Sequence, residues 1–124
     1  MKLRYSILYY EPWGYTPLES VAMGVPTITT NLAGFGQWVE KELGDNNLKT
    51  GVKVIHRTDS NYDEALAQIV ESVLNVNAMN TREHDKLRRA AKLTSKQATW
   101  ENFMANYMAA YKTALAKVDE RTAK

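Results

Sequence analysis

With 124 residues and a mass of 14.1 kDa, the chain can form one small domain with its own core but not a two-domain enzyme. Sixteen basic residues against 14 acidic ones leave a formal charge of +2, too weak a field to argue for nucleic acid. Cysteine is absent, which excludes disulfides and thiolate metal sites and makes the cytoplasm the expected compartment.

The first ten residues are basic and then apolar, but the apolar run is too short for a signal peptide. No stretch approaches the ~20 apolar residues needed to span a bilayer, so no membrane partner is expected. Ser6-Ile7-Leu8-Tyr9-Tyr10 is a β-prone run ending at Glu11-Pro12, as a buried strand that delivers its carboxyl end to a site would. Pro12, Gly14 and Pro17 forbid a continuous helix from Glu11 to Glu19. The first carboxylate therefore belongs to a loop and the second to a helix. Thr16-Pro17-Leu18-Glu19 reads as a helix start, with Thr16 as N-cap, Pro17 at the first helical position and Glu19 completing a capping box. The unpaired N–H groups and the positive dipole end of such a start favour an anion.

That helix is expected to turn Leu18, Val21 and Ala22 to the core and to stop at Gly24. Pro26–Thr30 follows as a strand, then the glycine-containing loop Asn31–Gly36 opens a helix over Phe35–Leu43. The glycine spacing there is neither a Walker A loop nor a dinucleotide fingerprint. Gly51–His56 reads as a third strand. Beyond it the chain is helical. Tyr62, Leu66, Ile69, Val70, Val73 and Leu74 fall at helical spacing and are expected to pack on the sheet. Asn80-Thr81-Arg82-Glu83 is a capping box opening a charged helix to about Leu93. A last helix from about Lys96 carries Trp100, Phe103, Met104, Tyr107, Tyr111, Ala114, Leu115 and Val118 in one stripe, which reads as core, and its end from Asp119 is expected to fray. His56 and His84 stand apart, without metal-ligand spacing or a nucleophile partner.

The whole stretch Tyr9-Tyr10-Glu11-Pro12-Trp13-Gly14-Tyr15-Thr16-Pro17-Leu18-Glu19 resembles the E-x7-E segment of glycogen synthases of the animal and fungal type. Those are retaining glycosyltransferases with two facing Rossmann-like domains, the GT-B architecture. The resemblance continues through Met23–Pro26 and Thr29–Gly36, and more loosely through Gly51–Ile55 and the Trp100 helix. It covers most of this chain but only the last part of such an enzyme, and it implies a terminal helix that crosses back to the other domain, which would leave part of the Trp100–Val118 stripe exposed here. The implied fold is α/β: a partial Rossmann-like GT-B C-terminal domain with about three mainly parallel strands, flanking helices and a helical second half. Residues 1–57 would form the α/β motif region and 58–118 the helical region of a single unit spanning 1–124.

The resemblance implies transfer of glucose from UDP-glucose, or ADP-glucose, to the end of an α-1,4-glucan, with no metal and no other cofactor. Glu11 would be the catalytic carboxylate, holding sugar hydroxyls and stabilising developing positive charge; the alternative is a loop carboxylate bonded to its own turn. Glu19 would bind donor ribose hydroxyls, a role compatible with capping because a carboxylate has about four lone-pair sites. Gly14, Tyr15 and Thr16 are implied as the phosphate cradle, though they also suit an ordinary turn before a helix. Trp13 is either packing or a stacking surface for carbohydrate, and Gly34, Phe35 and Gly36 would line the same crevice.

Two features depart from the family pattern. Ser6-Ile7-Leu8 replaces small residues and a proline, and the family's arginine-rich helix is reduced to Arg82, Arg88 and Arg89. The basic pair that neutralises the departing diphosphate and the acceptor domain lie upstream of this region in the family. The chain is accordingly expected to be a fragment that does not turn over alone. Exposed sheet edges suggest a homodimer. The alternatives are a related GT-B enzyme acting on another glycan, or a non-catalytic remnant binding a protein through the terminal stripe.

Overall fold

The two runs densest in β-branched residues, Thr27–Thr30 and Val52–Ile55, both form strands, because branched side chains pack well on a pleated surface. The structure, a computed structural model, describes residues 3–6, 10–44 and 48–123. Its elements in chain order are β1 (Arg4–Tyr5), α1 (Tyr15–Ala22), β2 (Thr27–Thr30), α2 (Gly34–Leu43), β3 (Val52–Ile55), α3 (Tyr62–Asn77), α4 (Thr81–Gln97) and α5 (Trp100–Thr122).

The strands form one parallel sheet in the order β1-β2-β3, with Arg4 opposite Thr27 and Thr27 opposite Val52. Each crossover is a helix, as parallel neighbours require. The paired residues of β1 lie one step earlier than the Ser6–Tyr10 run. Ser6 still donates its N–H to the Ile28 carbonyl at 2.9 Å, while Ile7, Leu8 and Tyr9 fall outside the described residues.

Side-chain alternation sorts the core into two faces. Val52 and Val54 meet Val21, Phe35, Val39 and Ala91, whereas Ile28 and Ile55 meet Ala65, Ile69 and Val73. Helices α1, α2 and α4 therefore contribute to one face and α3 to the other, and the strands are buried from both sides. This is the layering of a partial Rossmann-like domain.

Helix α4 is anchored at both ends. Asn80 and Glu83 form the expected capping box, the Asn80 side chain accepting from Glu83 N–H at 3.0 Å and Glu83 accepting from Asn80 N–H at 2.8 Å. Near its far end Thr94 donates its hydroxyl to the Thr50 carbonyl at 2.6 Å, and the helix runs on to Gln97 rather than stopping near Leu93. Gly51, at φ 78°, lies so close beneath it that a Cβ would stand 2.5 Å from Ala91 Cα.

Two sequence expectations are corrected. On α3 the residues against the core are Ala65, Ile69, Ser72, Val73 and Val76, while Tyr62, Leu66, Val70 and Leu74 are exposed. The small side chains of Ala65 and Ser72 let that helix approach the sheet, and Ser72 satisfies its hydroxyl on the Gln68 carbonyl at 2.6 Å. On α5 none of the stripe is buried, and the helix extends to Thr122. Its first turn reaches the body through Phe103, whose ring packs edge-on against Trp13 and Trp38.

Candidate functional site

The loops that leave the carboxyl ends of β1 and β2 run side by side. Glu11 bridges to Ala33 in parallel fashion, with Gly34 N–H donating to the Glu11 carbonyl at 3.3 Å and Phe35 N–H donating to the Trp13 carbonyl at 2.7 Å. The approach is close enough to require glycine: a Cβ on Gly34 would stand 2.1 Å from the Pro12 oxygen. A third loop joins them where Asn31 Oδ1 accepts the Arg57 N–H at 2.7 Å. The carboxyl edge of the sheet, where open α/β sheets bind ligands, is thus a single braced rim.

Gly14 turns the chain from this rim into α1. Its φ of 102° and ψ of 76° lie in the left-handed region, and its buried backbone leaves only 3.3 Å between a hypothetical Cβ and Glu11 Oε2. The expected capping box is not formed. Gly14, not Thr16, is the N-cap, no side chain caps the helix, and Thr16 already has helical geometry. The helix can begin this early because Pro17 still falls within the first turn, where a missing N–H removes no hydrogen bond. Its backbone donors at Tyr15 and Thr16 are therefore left without a side-chain oxygen at the positive end of the helix. The other end behaves as expected: Gly24, at φ 71°, donates to the Val21 carbonyl at 2.9 Å and ends the helix.

Glu11 and Glu19 occupy different settings. Glu11 is half-buried, and its Oε2 is enclosed with no hydrogen-bond partner among the described residues. An enclosed acceptor left in that condition costs about 1–3 kcal/mol, which a ligand hydroxyl would relieve. Glu19 is exposed one turn along α1 from Tyr15, on the same outward face, while Pro17, Ser20 and Val21 face the core. The two carboxylates thus flank an uncapped helix start.

Trp13 is a packing residue in this arrangement. Its ring lies edge-on to Phe35 at 5.9 Å and to Phe103 at 5.2 Å, with Trp38 at 6.3 Å, so a cluster of aromatics locks the loop onto α2 and α5. Phe35 is fully buried within this cluster, and Gly36 lies beneath the Thr30 carbonyl, 2.2 Å from where a Cβ would be. Of the three residues expected to line the crevice, Gly34 is the partly accessible one. Phe103 was legible only as part of a helical stripe; its contact with the loop depends on the angle at which α5 returns. His56 pairs with Glu40 at 2.7 Å, away from any ligand cluster, and no group of three metal-binding side chains exists among the described residues.

The model of the glycogen synthase family matches residues 3–122, nearly the entire chain. The chain belongs to the glycogen synthase family. It is similar to the glycogen [starch] synthase of Neurospora crassa, with 35% identity over 109 residues that cover 88% of this chain and 15% of that protein. Isoform 2 of glycogen [starch] synthase from Saccharomyces cerevisiae is 34% identical over 88% of this chain and 16% of its own length. The glycogen [starch] synthase of Caenorhabditis elegans is 32% identical over 89% of this chain and likewise 16% of its own length. The chain therefore spans about a sixth of the glycogen synthases it matches. Among the described residues no helix is long and apolar enough to cross a membrane.

Proposed function

We propose that this chain carries the sugar-nucleotide site of a retaining glucosyltransferase of glycogen or starch synthesis. The supporting observation is the enclosed, unpartnered Glu11 Oε2 beside the uncapped start of α1. A carboxylate acceptor and a set of backbone donors a few residues apart match the two halves of a nucleotide-sugar, hydroxyls on one side and diphosphate on the other. In this reading Tyr15 and Thr16 donate N–H groups to the diphosphate, with Gly14 allowing its close approach. Glu19, exposed on the outer face of α1, accepts from ribose hydroxyls. Glu11 holds glucose hydroxyls and stabilises positive charge developing at the anomeric carbon, without having to form a covalent bond.

UDP-glucose is the proposed donor, with ADP-glucose the alternative, and an α-1,4-glucan the acceptor. No metal is part of this reading; the helix dipole and N–H groups supply part of the positive potential that holds the diphosphate. The expected outcome of a calorimetric titration is saturable binding of uridine or adenosine diphosphate, weakened about tenfold or more by Glu19→Ala, equivalent to about 1.4 kcal/mol. Failure of a demonstrably folded chain to bind either nucleotide would sink the proposal.

A further inference from the structure

Where the end of α2 meets the joint between α4 and α5, a cavity of about 390 Å³ is bordered by Trp38, Glu42, Gln97, Asn102, Phe103 and Asn106. That volume is within the ~300–1,000 Å³ typical of small-molecule sites. Its polar lining is one carboxylate and three amides, with no basic side chain among the described residues that border it. Glu42 lies in the last turn of α2, where the helix dipole is negative, so its charge adds to that of the helix end instead of offsetting it. Lys41 Nζ stands 3.7 Å from Glu42 Oε1, but with 83% of its side chain exposed it screens that charge only weakly.

The joint between the two helices fixes the amide wall. Asn102 donates a side-chain N–H to the Gln97 carbonyl at 2.7 Å, while its backbone N–H donates to the Thr99 hydroxyl at 3.4 Å. A side-chain amide whose nitrogen is so engaged keeps its oxygen as an acceptor. Asn106 follows one turn along the same face of α5. Trp38 and Phe103 close the cavity with ring centroids 5.9 Å apart and planes at 82°, and the faces of such rings attract cations.

We propose that this cavity binds a guanidinium group. A guanidinium presents five N–H donors in a planar fork: two can meet the Glu42 carboxylate together and the rest can reach amide oxygens, while its flat face stacks on an aromatic ring. A primary ammonium is a point charge with three donors and meets fewer of these partners. The cavity lies apart from Glu11 and the start of α1 and takes a ligand of the opposite charge to the proposed donor, so the two assignments fail independently. The group can arrive as a small free cation or on an arginine side chain of a partner.

The test follows the Trp38 indole N–H signal by NMR as the full 124-residue chain is titrated with ethylguanidinium, with a capped tripeptide carrying a central arginine, and with the same tripeptide carrying uncharged citrulline. The expected result is saturable millimolar binding of the arginine tripeptide, weakened about tenfold by Glu42→Gln, and no binding of the citrulline form. Both Glu42→Gln and Asn106→Ala alter exposed positions, circular dichroism would verify their folding, and the second should weaken binding severalfold. Ethylguanidinium binding as tightly as the arginine tripeptide would identify a small cation as sufficient, and tighter binding of the tripeptide would identify an arginine side chain; either upholds the site. No shift of the Trp38 signal with either cation, equal affinity for the citrulline form, or affinity indifferent to Glu42→Gln would overturn the proposal. Nucleotide affinity is expected to stay unchanged in Glu42→Gln, which separates failure of this cavity from failure of the donor site.

Discussion

Gly36 shows how a single missing methyl group decides local packing. In an exposed helix, Gly→Ala gains about 1 kcal/mol from backbone entropy. Here the added carbon would stand 2.2 Å from the Thr30 carbonyl oxygen, and that carbonyl is held at the end of β2 with Ala33 N–H donating to it at 3.3 Å. Overpacking against backbone costs about 1–3 kcal/mol or more, so the clash outweighs the propensity. Gly36→Ala is expected to lower the unfolding free energy by a net of about 1–2 kcal/mol, read as a lower urea midpoint. An unchanged or raised midpoint would show that the rim at α2 is looser than these distances indicate. The same scale governs the site: Gly14 and Gly34 were legible as turn residues, but that one brings Glu11 Oε2 close and the other lies on Pro12 became visible only in three dimensions.

At the scale of elements, two similar capping signals had different fates. Asn80-Thr81-Arg82-Glu83 forms its box because Asn80 keeps an extended backbone just ahead of the helix. Thr16-Pro17-Leu18-Glu19 does not, because the left-handed turn at Gly14 starts α1 earlier and brings Thr16 inside it. Asn80→Ala should therefore cost about 1 kcal/mol, while Thr16→Ala should leave stability within about 0.5 kcal/mol. Paired denaturant unfolding curves would check this, and an equal loss in both variants would mean that Thr16 does cap its helix. Helix α3 exposes another limit of local reading. Its apolar residues occupy more than one face, and hydrophobic spacing cannot select which part meets the sheet; the small residues Ala65 and Ser72 decide it by permitting close approach.

At the scale of the whole molecule, the described site is a rim built by the loops at the carboxyl edge of the sheet. The segments Tyr10–Glu19 and Asn31–Gly36 contain two carboxylates and no lysine or arginine, so the only positive potential they offer a departing diphosphate is that of the helix start. Removing a single preorganised donor in such sites typically costs about 10²–10³ in rate, and the loss of several compounds it. The 124-residue chain assayed alone for transfer of labelled glucose to glycogen is expected to show turnover lower by orders of magnitude than a relative's full-length synthase, even when nucleotide binds. Comparable turnover would mean that the described rim suffices for catalysis. The aromatic and methionine stripe of α5 also belongs to this scale. Trp100, Met104, Tyr107, Tyr111 and Leu115 are arranged as a core helix would be, yet all are exposed, while Phe103 on the same helix packs against Trp13 and Trp38.

What the amino-acid order determined by itself was the family, the alternation of strands and helices, the glycine stop of α1, the capping box of α4 and the candidate carboxylates Glu11 and Glu19. These are matters of local periodicity, backbone permission and motif, all carried by neighbouring residues. Tertiary structure alone decided that Glu11 is half-buried with an unpartnered oxygen, that Trp13 packs among Phe35, Trp38 and Phe103, and that α5 leaves its stripe in solvent. Each depends on the close approach of segments distant in sequence, and a helical or strand period specifies an apolar face without specifying what will cover it.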